Sequence, residues 1–317
     1  MNASFEHYHL IGKPSRLNLD TFLPFTQQTK NTLDTLIQWI IRVDLVVILL
    51  MFLKGQFDVP FPFPLPGKKL NNPLALLLLL FSIRAMLNVQ FRNRHIGTLK
   101  NILTATPQRI YFFAFLIIVE IALQIMWFTY PENFLWNLNA EQGYGTHFSA
   151  IQLYLLGLTV LMTAWADFGK DATWKEKLPW YLVASVYFFI GLDDCVGIHE
   201  NLIFWGRNLI PESTTFHFIH EWLWFYGPVA LVVVIFLSRF FLMKFLYSPG
   251  IIVLMFVALM FWISVLLLEG LAKNIIDPMG ADYGRLLIGL EEGSEMFGAT
   301  LFMLGFSKHL KNLLEKK

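Results

Sequence analysis

The chain has 317 residues, of which 56% are apolar, 16% aromatic and 15% charged, with a net charge of +1 and a mean hydropathy of +0.55. Soluble domains carry about 25% charged residues, so this chain lacks the polar groups to coat a water-exposed globule. The near-neutral balance leaves no basic stripe for phosphates and argues against a nucleic-acid partner.

Residues 1–35 mix charges with prolines and contain no continuous apolar stretch. No cleavable signal peptide is therefore expected, and 1–35 reads as a cytoplasmic segment. From residue 36 onward solid apolar runs dominate, such as 73–81, where a barrel would alternate every second residue. The expected fold is all-α: a polytopic membrane bundle of about eight transmembrane helices over 36–306, followed by a basic cytoplasmic tail, 307–317. Spans of roughly 17–22 residues fit a hydrocarbon core about 30 Å thick. They fall at 36–54, 73–90, 110–130, 148–166, 179–198, 222–243, 250–271 and 286–306. The first carries Arg42 and Asp44, and Asp44 is expected to pair with Arg42 or with Arg84. Between the first two spans, Pro60, Pro62, Pro64 and Pro66 alternate, a pattern that forces an extended, polyproline-like loop.

Lysine and arginine set the orientation. Arg92, Arg94, Lys100 and Arg109 follow the second span, and Lys170, Lys175 and Lys177 follow the fourth. Arg239 and Lys244 mark the next turn on that side, and Lys308, Lys311, Lys316 and Lys317 close the chain. Eight spans put all of these on one side, opposite Glu132 and Glu141, with Lys54, Lys68 and Lys69 dissenting. Both termini are accordingly expected in the cytoplasm.

Acids and histidines then gather where hydrocarbon should be. Asp193, Asp194, His199 and Glu200 end the fifth span, and His217, His220 and Glu221 open the sixth. Glu269 ends the seventh, and Glu291, Glu292 and Glu295 lie in the outer half of the eighth. An ionisable group near the bilayer interior costs several kcal/mol unless paired, hydrated or metal-bound. The predicted topology brings all four groups to one membrane level. His217, His220 and Glu221 share a helix face at i, i+3 and i+4, as do Glu292 and Glu295 at i, i+3 and Glu291 and Glu295 at i, i+4. Mixed imidazole and carboxylate donors on facing helices suit a divalent metal, either zinc, iron or manganese. No repeated Glu-x-x-His is present, so the two-iron pattern is incomplete, and solvation at the headgroup level is the plainer account of any single acid.

Other features weigh less. Glu120, in the third span, could face the site or a proton path. Gly289-x-x-x-Gly293 allows close helix contact. The aromatics Phe204, Trp205, Phe216, Phe218, Trp222, Trp224, Phe225 and Tyr226 fit an interfacial belt or a lipid-binding vestibule. Cys195 has no base beside it in sequence and supports no nucleophilic role. No phosphate-binding loop, dinucleotide fingerprint or serine-nucleophile elbow occurs.

The run Leu192-Asp193-Asp194-Cys195-Val196-Gly197-Ile198 resembles the short acidic motif at a helix end in membrane hydrolases of the ceramidase and progestin-receptor type. Those families add a His-x-x-x-His on a late span, where this chain has glutamates, so no residue role is carried over. Three functions compete. The first is a metal-dependent membrane enzyme acting on a lipid-like substrate, with metal-activated water and a glutamate base. The second is a proton- or cation-coupled transporter or channel. The third is a non-catalytic membrane subunit.

Overall fold

The computed structural model describes residues 26–57, 71–130, 132–140, 143–168, 172–198, 223–279 and 281–316. Among them the chain forms nine helices and no strand. They are α1 (Gln27–Phe57), α2 (Asn71–Leu87), α3 (Val89–Thr104), α4 (Thr106–Thr129), α5 (Tyr144–Asp167), α6 (Trp174–Val196), α7 (Leu223–Phe245), α8 (Pro249–Met279) and α9 (Ala281–Glu315). The proline string at 60–66 and the aromatics of 204–222 lie outside the described residues, as does most of 1–35.

Among the described residues four helices are both long and apolar enough to cross a membrane: α4, α5, Gly227–Phe245 of α7 and Pro249–Leu268 of α8. α6 and α9 fall short by composition, because they carry Asp193 and Asp194 and the three glutamates. α5 lies at the centre, with 13 buried positions running from Gly145 to Ala164. α6 and α9 pack against it, and α8 lies along α9. α4 turns Ile118, Ile121 and Ile125 outward, and α7 does the same with Val229, Val232 and Ile235. A helix with an apolar outer face is at home in lipid rather than water.

The expected second span, 73–90, is α2 and stops three residues early. α2 ends at Leu87, and the Asn88 side chain caps α3 by accepting from Phe91 N. The axes of Pro73–Ala85 and Val89–Thr104 differ by 112°. The stretch holding Arg92, Arg94 and Lys100 is thus a helix of its own. α3 presents alternating charge and apolar side chains, a pattern too polar for a span. The chain tail is also helical to Glu315.

Asp34 secures this corner. Arg84 Nε donates to its Oδ1 at 2.9 Å, and Asn88 Nδ2 and Gln38 Nε2 donate to its Oδ2 at 2.9 and 3.1 Å. Arg84 is therefore engaged at Asp34, nearly three helix turns from Asp44, contrary to the pairing expected from sequence. Arg42 lies over the Trp39 ring instead, and Asp44 Oδ2 is buried without a hydrogen-bond partner.

The aromatic core sits below the acids. Trp180, Tyr187, Phe240, Phe241, Phe245, Phe302 and Phe306 are fully buried between α6, α7 and α9. Near its far end Lys244 Nζ meets Asp167 Oδ2 at 2.7 Å, and Trp180 Nε1 donates to the same oxygen at 3.0 Å. This ties α5, α6 and α7 together away from the acidic end.

Candidate functional site

The site is built where three helices pass each other. α6 stops at Gly197, whose φ of 62° and ψ of 48° place it in the left-handed region, and its N–H donates to Asp193 O at 2.7 Å. A side chain would strain that conformation. The break leaves Asp193 and Asp194 on the last helical turn. α9 is held from the other side by Trp262 of α8, whose Nε1 donates to Glu295 O at 3.2 Å. Trp262 fits there because Gly298 has no side chain: a Cβ would lie 2.6 Å from Trp262 Cδ1.

Ser149 of α5 joins the two helices. Its Oγ lies 3.0 Å from Asp194 Oδ2 and 2.8 Å from Glu295 Oε1. Glu292 and Asp193 are close enough to repel a charge on Asp194. One hydroxyl has one hydrogen to give. Both contacts close together when one carboxyl carries a proton and donates it to Ser149 Oγ. Two of the four expected clusters, the α6 acids and the α9 glutamates, therefore do meet.

A second polar knot lies deeper. Glu120 Oε1 accepts from Gln152 Nε2 at 2.8 Å and from Thr300 Oγ1 at 2.6 Å, and Gln152 Nε2 lies 2.5 Å from Thr300 Oγ1. All three residues are buried. Gln152 is three residues past Ser149 and Thr300 five past Glu295, so this knot sits about 4.5–7.5 Å further along α5 and α9.

His199, Glu200, His217, His220 and Glu221 lie outside the described residues, and nothing is described of the Glu269 side chain. Among the described residues no group of three His, Cys, Asp or Glu side chains is arranged to hold a metal ion. Cys195 is buried and packs with Leu74 and Ala150, a structural position. His147 is buried on α5 with neither ring nitrogen hydrogen-bonded.

Sequence reasoning missed Ser149, Gln152 and Thr300.

Residues 109–310 match a family described as a domain of unknown function, DUF8692. The match spans more than half of the chain, which therefore belongs to that family. It runs from the start of α4 into α9 and takes in Glu120, Ser149, Asp194 and Glu295. No curated protein and no solved structure matches the chain.

Proposed function

We propose that this chain is a multi-pass membrane enzyme whose centre is the Asp194–Ser149–Glu295 cluster, holding a divalent metal and acting on a lipid-like substrate. The observation that supports it best is the meeting of Asp194 and Glu295 on Ser149, with Asp193 and Glu292 in range. Anions drawn to one point from separate helices favour a cation, and carboxylate oxygens suit a divalent one. His199, Glu200, His217, His220 and Glu221, with Glu269 and Glu291, supply the remaining donors in this reading, and the imidazoles select zinc, iron or manganese. A metal bound there would lower the pKa of a coordinated water, with a glutamate of the cluster as general base. Eight spans with both termini cytoplasmic belong to the same proposal, supported by the lysine and arginine bias.

Elemental analysis of the full chain purified in detergent tests it. Stoichiometric metal is expected, retained in His95→Ala and depleted in Asp194→Asn and His220→Ala. Wild-type protein that holds no metal after reconstitution with zinc, iron or manganese salts would end the enzyme reading.

A proton- or cation-coupled transporter is the second reading. It is supported by the proton that links Asp194 and Glu295 through Ser149 and by the Glu120 knot one level deeper. Metal-free protein that takes up protons or cations into vesicles, and loses this with Glu120→Gln, is what it expects.

A further inference from the structure

From Ser149 to Asp167, α5 rises about 27 Å, and the end of the bundle reached there carries cations instead of acids. Three segments converge at it. Ser307 Oγ of α9 donates to Leu103 O, near the end of α3, at 2.7 Å, and Lys311 Nζ of α9 donates to Thr106 Oγ1, at the start of α4, at 3.4 Å. Lys100 lies one turn before Leu103, Arg109 one turn after Thr106 and Lys308 one turn before Lys311, so each shares a helix face with a residue of this junction. The stretch 89–112 contains no acid. Glu315, 3.5 Å from Lys311, is exposed, while Asp34, Asp167 and Glu176 are engaged by Arg84, Lys244 and Thr173. Among the described residues Lys100, Arg109 and Lys308 have no ion pair.

The junction sits where hydrocarbon ends. α4 has 24 residues, a length of about 36 Å, which exceeds a hydrocarbon core of about 30 Å. Its outward apolar stripe starts at Ile110 and continues at Ile117, both exposed. The first turn of α4 therefore stands among headgroups. α3 turns 112° from α2 and so runs across the helix direction, bringing Lys100 to the same level. Cations at headgroup level without protein anions attract anionic phospholipid, each Lys or Arg adding to the pull. The stripe beside them suits acyl chains, which a soluble anion lacks.

We propose that the α3–α4–α9 junction binds an anionic phospholipid, with Lys100, Arg109, Lys308 and Lys311 around its headgroup and its acyl chains along Ile110 and Ile117. This site lies at the opposite end of α5 from the Asp194–Ser149–Glu295 cluster, and its occupancy can be read whether or not that cluster holds a metal.

The test uses the full chain in phosphatidylcholine nanodiscs containing a trace of photoreactive phosphatidylglycerol or photoreactive phosphatidylcholine, each with a diazirine near the top of one acyl chain. Peptide mass spectrometry locates the adducts. At low salt the phosphatidylglycerol probe should label 110–117 at least about fivefold more than the phosphatidylcholine probe, which is the worth of one basic side chain at the surface. The preference should fall toward parity in about 1 M salt, where screening acts within about 3 Å. Replacing Lys100, Arg109, Lys308 and Lys311 together by Gln should erase it while labelling by the phosphatidylcholine probe stays unchanged, which reports an intact fold. Arg109→Lys, which keeps the charge, and Lys175→Gln, exposed at the start of α6 on the same end, should both retain it. Equal labelling of wild type by the two probes overturns the proposal, as does a preference that survives the fourfold replacement. So does one that Lys175→Gln abolishes, since the charge of the whole end would then be the cause. Loss of the preference to inorganic phosphate at matched ionic strength would make this a site for a soluble anion and overturns it too.

Discussion

Ser149 does more for this molecule than its chemistry advertises. Its hydroxyl touches acids from both α6 and α9, and it is buried. Ser149→Ala should lower stability by about 1–3 kcal/mol, the cost of leaving buried groups without their partner. The loss should not add to that of Asp194→Asn. A double-mutant cycle followed by thermal unfolding in detergent should give a coupling of about 0.5–3 kcal/mol, whereas strictly additive losses would mean that the contact carries no energy. At this scale the sequence exposed the acids, because a carboxylate in an apolar run is costly wherever it lies. Ser149, Gln152 and Thr300 were not legible. Hydroxyl residues in apolar helices usually bond the carbonyl four residues back, as Thr159 and Thr163 do here. Nothing in the sequence separates those from Thr300, which reaches Glu120 instead.

Helix ends explain how the elements were placed. The capping box of α6 is complete: Glu176 Oε2 accepts from Thr173 N at 2.6 Å and from Thr173 Oγ1 at 3.1 Å. The Thr173 backbone bond, then its hydroxyl, hold the exposed Glu176 carboxyl below its ordinary value of 4.5. A depressed carboxyl stabilises the fold above the unfolded value, and the benefit is lost as the pH falls through the folded one. Hydrogen exchange at the start of α6 should therefore show wild type better protected than Glu176→Gln at pH 7. The difference should vanish once the pH drops well below 4.5. A difference that survives strong acid would show that the cap does not depend on the charge. The α2–α3 corner, by contrast, was not legible. The apolar run to Leu87 looked like one span because Asn88 is an ordinary residue until it caps a helix, and only then does the 112° turn follow.

At the scale of the whole molecule, the arrangement is a buried α5 flanked by the acid-bearing α6 and α9, with α4, α7 and α8 presenting apolar faces outward. That order lets costly groups sit at helix–helix contacts instead of against lipid. In the orientation proposed from the basic residues, Lys175 lies in the cytoplasm and Glu132 on the other side. Single cysteines at these two exposed positions, in a Cys195→Ala background, should differ at least about tenfold in labelling by an impermeant thiol reagent applied to intact cells, with Glu132 the reactive one. Equal labelling of both would remove the shared membrane level on which the expected four-cluster site depends.

Composition and hydropathy by themselves determined that this is a helical chain with segments long and apolar enough to cross a membrane, because the transfer of a helix into hydrocarbon follows residue type and run length. Helical spacing likewise determined that Glu292 and Glu295 share a face. Which acids meet was decided only in three dimensions. Ser149 joins partners 45 and 146 residues away, and Glu120 joins partners 32 and 180 residues away. Periodicity fixes the face that a helix presents, but not the neighbour that face will find. That choice belongs to the packing of α5 against α6 and α9, where Trp262 lodged at Gly298 and the helix break at Gly197 set the level of each carboxyl.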